Sequence, residues 1–196
     1  MKILVISDTH KNIKRALAVY EKLRNVDFVI HLGDYMSDAD KLAEILDTEV
    51  ISVAGNMDEY EASGDGGSTS SALNAVVQTE YGKLLLTHGH REQVKFSYDR
   101  LLYRAEEFGC KAVLFGHTHV PLCTRIDGIH IVNPGSISFP RGGMTDDAGR
   151  PYGSYAVITT APDEFHCAIV YDKEPEDTGS GGFHKIRNML NYSDRF

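Results

Sequence analysis

Residues 2–10 read KILVISDTH and residues 28–34 read FVIHLGD. Each is a short apolar run that ends on a carboxylate. Short apolar runs closed by turn residues read as buried strands. VISVAGN at 50–56, KLLLTHGH at 83–90 and KAVLFGHTH at 111–119 follow the same plan. In open α/β sheets, ligands bind outside the carboxyl ends of the strands. Five such ends bring Asp8, His10, Asp34, Asn56, His88, His117 and His119 to one rim.

Helical periodicity fills the gaps. Ile13, Leu17, Tyr20 and Leu23 recur at helical spacing, as do Ala39, Leu42, Ala43, Ile45 and Leu46. Ser37 or Asp38 is placed to cap the second helix. Alternating strand and helix predicts a parallel sheet with right-handed crossovers. The second half adds a hairpin turning at Tyr81-Gly82-Lys83 and a helix over 96–108 stopped by Gly109. A second hairpin turns at Asp127-Gly128, which lies between two alternating runs. YAVIT and FHCAIVYD then add strands. The pattern predicts two mixed sheets packed face to face with helices outside.

Three segments break the pattern. EYEASGDGGSTSSALN, from Glu59 to Asn74, is polar and Gly/Ser-rich. It reads as a loop, either a plain linker or a flap over the rim. Arg141–Gly153 reads as a second polar loop. Beyond Asp172, KEPEDTGSGG is linker-like, and 183–196 has the spacing of a short terminal helix. The domain is therefore placed at 1–172, with 173–196 as linker and tail. That tail is one route to a homo-oligomer.

Bulk composition narrows the chemistry. The 196 residues suit one domain. The net charge of −8 argues against an extended nucleic-acid footprint. It does not exclude a phosphate substrate, because bound metals would dominate the local field. Cys110, Cys123 and Cys167 form no CxxC pattern and read as buried reduced thiols. No apolar run approaches the ~20 residues of a membrane span, and the chain opens on a strand rather than a signal peptide. A cytoplasmic location is the expectation.

The seven donors are oxygen and nitrogen with no sulfur. They suit Mn, Fe, Zn, Co or Ni and not a zinc–thiolate knot. Seven are too many for one ion and enough for two that share Asp34. Ions roughly 3.5–4 Å apart lower the pKa of a bridging water and clamp phosphoryl oxygens. Asp8-x-His10 and His117-x-His119 read as period-two pairs that share one side of a strand. Glycines at 33, 55, 89 and 116 let the backbone turn beside the metals. His31, His130, His166 and His184 fall outside the motifs and read as structural or surface residues.

These motifs resemble the D-x-H, G-D, G-N, G-H and G-H-x-H set of the calcineurin-like metallophosphoesterases. SDTHKN, VIHLGD, THGH, GHTH and Asn133-Pro134-Gly135-Ser136 resemble its small YfcE-type phosphodiesterase branch. The likeness spans residues 2–172. It implies an α/β fold of four layers, an α/β/β/α sandwich. It implies that Asp8, His10 and His119 hold one ion, Asp34 bridges, and Asn56, His88 and His117 hold the second. Two divalent transition-metal ions are implied, manganese first.

The resemblance makes the chain a dinuclear phosphodiesterase acting on small or nucleotide-like diesters through a metal-bridging hydroxide. Asp34, Asn56, His88 and His90 are its catalytic candidates. Asn56, His90 and Arg141 are its candidate substrate contacts. Larger members often carry a His after Gly-Asn as general acid or transition-state stabiliser; here that position is Met57, which leaves water, His90 or no group at all to protonate the leaving group. Activated diesters are then the better substrates. Asn133–Ser136 reads as a tight turn or as a wall of the cleft. The alternatives are a non-catalytic metal-binding scaffold of the same fold, a phosphomonoesterase, and a nuclease.

Overall fold

The computed structural model describes residues 1–64 and 72–173. Two five-stranded sheets stack face to face. The first carries β1 (Lys2–Ile6), β2 (Phe28–His31), β3 (Glu49–Ser52), β9 (Gly153–Ala161) and β10 (Glu164–Asp172), in the order β10-β9-β1-β2-β3. The second carries β4 (Asn74–Gln78), β5 (Lys83–Thr87), β6 (Cys110–Leu114), β7 (Leu122–Ile126) and β8 (Ile129–Asn133), in the order β4-β5-β6-β8-β7. β1, β2 and β3 run parallel, as do β5, β6 and β8. Antiparallel strands complete both sheets, so each is mixed.

Alternation along the strands makes the layers. Ile3 and Val5 point between the sheets toward Leu84, Leu86, Ala112, Leu114 and Val132. Leu4 and Ile6 point the other way, onto Ala16, Leu17 and Val19 of α1 (Lys14–Lys22) and Leu42 of α2 (Met36–Ile45). Leu85, Val113 and Ile131 of the second sheet meet Leu101 and Ala105 of α4 (Asp99–Phe108). Three apolar interfaces separate four layers, which is the α/β/β/α sandwich. Among the described residues, no helix is long and apolar enough to cross a membrane.

Several elements differ from the sequence reading. Asn56–Gly64 is a helix, α3, so the expected loop from Glu59 begins late; residues 65–71 lie outside the described residues. Asp58 explains the helix. Its Oδ2 accepts the Gly55 N–H at 2.8 Å, as an acidic residue three positions into a helix can. Neither Ser37 nor Asp38 caps α2, whose N-cap is Tyr35 with no side-chain bond. Asp58 Oδ1 instead accepts the Met36 N–H at 2.6 Å. α4 starts at Asp99 rather than 96, which leaves Phe96 89% exposed. The first hairpin turns at Thr79–Gly82, and Tyr81 is buried. The Asp127-Gly128 hairpin forms as expected between β7 and β8, with φ of 49° and 82° at its two turn residues.

Cys110 is buried as expected, but Cys123 is exposed and Cys167 half-buried, because both lie on outer strands β7 and β10. Residues 141–152 are irregular apart from a Thr145–Pro151 bridge, and Gly153 already belongs to β9. The linker and helix expected beyond Lys173 lie outside the described residues, as does His184.

Candidate metal centre

The carboxyl ends of β1, β2, β3, β5 and β6 share one rim, and all seven donors stand there. His119 Nε2 lies 3.1 Å from Asp8 Oδ1 and 3.4 Å from His10 Nε2. His10 Nε2 is 4.0 Å from Asp34 Oδ2. On the other side, His88 Nε2 is 3.4 Å from Asp34 Oδ1 and 3.2 Å from Asn56 Oδ1. The His117 ring sits 5.2 Å from that of His88. Ligand atoms of Asp8, His10, Asp34 and His119 all fall within 4.8 Å of one another, close enough to hold a metal ion.

The backbone geometry is not the one the spacing suggested. β1 ends at Ile6, and Asp8 and His10 are loop residues with φ of 55° and 47°. Asp34, His117 and His119 have φ of 57°, 65° and 60°. Five of the seven donors thus adopt the left-handed conformation, which costs an L-residue roughly 1–2 kcal/mol. Such strain persists only where the surroundings enforce it, and it concentrates at functional sites. Close approach adds a demand on the glycines. A Cβ on Gly116 would sit 2.1 Å from Ser7 Oγ, and one on Gly55 would sit 2.3 Å from Asp34 Oδ1.

Surrounding bonds fix which atoms face the centre. His88 Nδ1 lies 2.6 Å from the Leu32 carbonyl oxygen and His119 Nδ1 lies 2.6 Å from that of Phe139. A ring nitrogen bonded to a carbonyl must carry the proton, so Nε2 of each neutral ring is a bare lone pair. Metal-ligating histidines are oriented in this way. Ser7 Oγ donates to Asp8 Oδ2 at 2.6 Å and the Met57 N–H donates to Asp34 Oδ1 at 3.0 Å.

Asp8 Oδ1 is buried and has no aligned donor, although His119 Nε2 stands close by. A neutral His119 offers it no proton. An imidazolium or a bound cation would satisfy that oxygen. Burial raises the Asp8 pKa, yet the His119 contact and neighbouring imidazoles outweigh it and bring it to about 2. Burial lowers the His119 pKa, but Asp8 reverses this and holds it above the ordinary histidine value. His117 is pushed down to about 4, by burial first and then by His88. A pocket of bare imidazole nitrogens around an orphaned carboxylate oxygen fits a divalent ion of the Mn-to-Zn series.

His90 lies beside the seven, its ring 5.3 Å from that of His88. Its Nε2 is 3.2 Å from Glu59 Oε1 on α3, and the same oxygen accepts Arg91 Nε–H at 2.9 Å. Its Nδ1 is buried with no hydrogen-bond partner. Arg141 is exposed; its backbone N–H donates to the His119 carbonyl oxygen at 3.1 Å, and its charge is felt by His119. Asn133 and Ser136 are fully buried ties. Asn133 Nδ2 donates to the Gly116 carbonyl oxygen at 2.8 Å, and Ser136 Oγ to that of Asp8 at 2.8 Å. They clamp the GHTH and DTH loops together, which is the tight-turn reading.

Of the histidines outside the motifs, His31 is fully buried, His130 stacks on Phe165 at 4.3 Å, and His166 is exposed. The sequence reading missed Asp58 and Glu59, although an acid three residues after Gly55 is a helix-start signal. It also missed Tyr35 and Phe139, for which no local signal exists.

The profile of the calcineurin-like phosphoesterase superfamily domain matches residues 1–161. The chain belongs to that family. It is similar to the probable metallophosphoesterase YsnB of Bacillus subtilis, 32% identical over 83% of this chain and 86% of that protein. It is 28% identical to the phosphodiesterase MJ0936 of Methanocaldococcus jannaschii, over 78% of this chain and 96% of that one. A predicted phosphoesterase from Streptococcus pneumoniae TIGR4 superposes with a TM-score of 0.69 at 29% identity, covering 87% and 88% of the two chains. Vps29 of Entamoeba histolytica, solved with Zn, shares the fold with a TM-score of 0.65 at 18% identity, over 87% and 99%.

Proposed function

We propose that this chain is a phosphodiesterase that hydrolyses small or nucleotide-like phosphodiesters with two divalent metal ions, manganese foremost among Mn, Fe, Ni, Co and Zn. One observation carries the reading. Asp34 turns Oδ2 toward His10 and Oδ1 toward His88, at 4.0 and 3.4 Å. The two oxygens of one carboxylate thus serve two separate imidazole groups. Asp8, His10 and His119 would hold the first ion and Asn56, His88 and His117 the second, with Asp34 between. When bound, such a pair supplies a nucleophile at neutral pH and neutralises phosphoryl charge.

The protein's own groups do the rest. Ser7 and the Met57 N–H hold the two carboxylates in place. Leu32 and Phe139 carbonyls hold two imidazoles in one tautomer. Met57 offers no proton. His90 is the candidate to deliver one: burial and then His88 hold its pKa below the ordinary histidine value, while Glu59 orients the ring and raises that pKa. Proton delivery limits poor leaving groups most, so activated diesters react best.

A non-catalytic scaffold on this fold is the second reading. The complete donor set favours the enzyme. The deciding experiment strips the protein of metal, titrates Mn, and follows bis-p-nitrophenyl phosphate beside p-nitrophenyl phosphate. Mn-dependent diester cleavage that Asp34→Asn abolishes supports the proposal. Two bound ions without turnover of either compound would favour the scaffold.

A further inference from the structure

One side of the donor set is lined by aromatic rings. There His10 packs against Tyr35 at 5.4 Å and against Phe139 at 4.9 Å between ring centroids. Phe139 is 56% exposed. An exposed Phe forgoes roughly 1.5–3 kcal/mol of burial, and scattered single cases are ordinary. This one is not loosely held. Its N–H donates to Ser136 Oγ at 2.8 Å and its carbonyl accepts His119 Nδ1–H at 2.6 Å. The preceding Ser138 Oγ donates to the Asn12 carbonyl oxygen at 3.3 Å.

The contact with His10 is T-shaped, at 70° between planes, so at least one face of the Phe139 ring is clear of that imidazole. Lys11 Nζ sits over the Tyr35 ring at 4.7 Å, which leaves Phe139 the more open of the two. Val120 and Met144, 43% and 45% exposed, are further apolar side chains on the two loops that the Arg141–His119 backbone bond joins. Binding sites combine aromatic walls with a few fixed polar groups in this manner.

We propose that Phe139 is a stacking platform for a planar aromatic group carried by the substrate's phosphoester, so that the site selects aryl or nucleotide esters over aliphatic ones. The inference rests on the metal-centre reading above. The phosphoryl group would be held through the ions that the donors bind, with the Arg141 charge felt at His119, and the ring would lie flat on Phe139. Base–aromatic stacking is sequence-tolerant, so the platform distinguishes planar from non-planar groups rather than one base from another.

The test is calorimetric binding of four monoesters and inorganic phosphate to Mn-loaded protein, full chain, wild type and Phe139→Ala. AMP should bind about tenfold more tightly than ribose 5-phosphate, and Phe139→Ala should remove that advantage. Phe139→Trp should restore it. The backbone carbonyl that holds His119 survives these substitutions, so inorganic phosphate should bind all three proteins alike. Phenyl phosphate matching AMP assigns the platform to any aryl ester; an advantage for AMP alone assigns it to nucleobases. Either result supports the proposal. Butyl phosphate matching AMP, or an unchanged AMP preference in Phe139→Ala, would overturn it. Failure of inorganic phosphate to bind the wild type would instead bring down the metal-centre reading beneath it.

Discussion

Glu59 reaches from the first turn of α3, the helix that opens on the donor Asn56, to His90 Nε2 at 3.2 Å and ties that helix to the loop that carries His88. If His90 delivers the proton, its removal should depend on the leaving group. General acids contribute about 10²–10⁴-fold. His90→Ala should lower kcat about a hundredfold on a methyl diester and less than about tenfold on bis-p-nitrophenyl phosphate, whose p-nitrophenolate leaves unprotonated. Glu59→Gln should follow in the same order, more weakly. Equal losses on both substrates would make His90 a substrate-positioning group instead.

The two halves of the centre should separate by mutation. Asp8, His10 and His119 cluster without help from His88. His88→Ala should therefore retain one tightly bound Mn per chain, whereas Asp34→Asn should weaken both. Native mass spectrometry reads the stoichiometry. Thermal unfolding gives a second readout, since a ligand at 100 times its Kd stabilises by about 2.7 kcal/mol. Loss of both ions in His88→Ala with Asp34→Asn unaffected would contradict the assignment of Asp34 as the shared ligand.

Asp58 holds two helix starts with one carboxylate, at 2.8 Å to the Gly55 N–H and 2.6 Å to the Met36 N–H. Burial raises its pKa and those two bonds oppose the rise. Asp58→Ala leaves both donors without their partner and should cost about 2 kcal/mol in urea unfolding, the upper range for a lost cap. Asp58→Asn should cost less, because one amide oxygen still accepts. A change below about 0.5 kcal/mol would mean that water replaces the carboxylate at both helices.

The legible part of this molecule was whatever a short window could carry. KILVIS followed by DTH shows both a buried strand and its donors, and the five repetitions fix where the rim lies. Burial on both faces turns apolar runs into parallel strands, so layers and centre came together. The Asp8–His10 pairing has a cause other than strand period. Strand alternation does not reach those residues; left-handed turns present them, and no residue type announces a φ of 55° at an aspartate. α3 was hidden because its composition is loop-like and its start rests on Asp58, whose second partner lies 22 positions away. Phe139 was silent for the same reason: its neighbour His10 is 129 residues distant along the chain, a contact that only the fold creates.

His31 gives the last prediction. It is fully buried, with the Gly33 N–H donating to Nδ1 at 3.3 Å and Nε2 lying 3.0 Å from Thr9 Oγ1. Thr9 in turn donates to Asp38 Oδ2 at 2.7 Å. This chain holds the loop of Asp34 to the loop of Asp8, and it requires a neutral ring with a bare Nδ1. Burial lowers the His31 pKa from 6.5 to about 4, although Asp38 and Asp8 pull the other way. The folded protein therefore resists the proton that the unfolded chain accepts at 6.5. Stability is complete above that value, falls as the pH drops from 6.5 toward 4, and levels off below. The loss should amount to about 2–3 kcal/mol across that window. Other buried imidazoles titrate too, so the comparison is one of slopes: metal-free wild type against His31→Gln, by urea unfolding between pH 7 and 4.5. The variant should show the shallower decline. Parallel slopes would mean that His31 is protonated in the folded state, and that Gly33 does not hold its ring neutral.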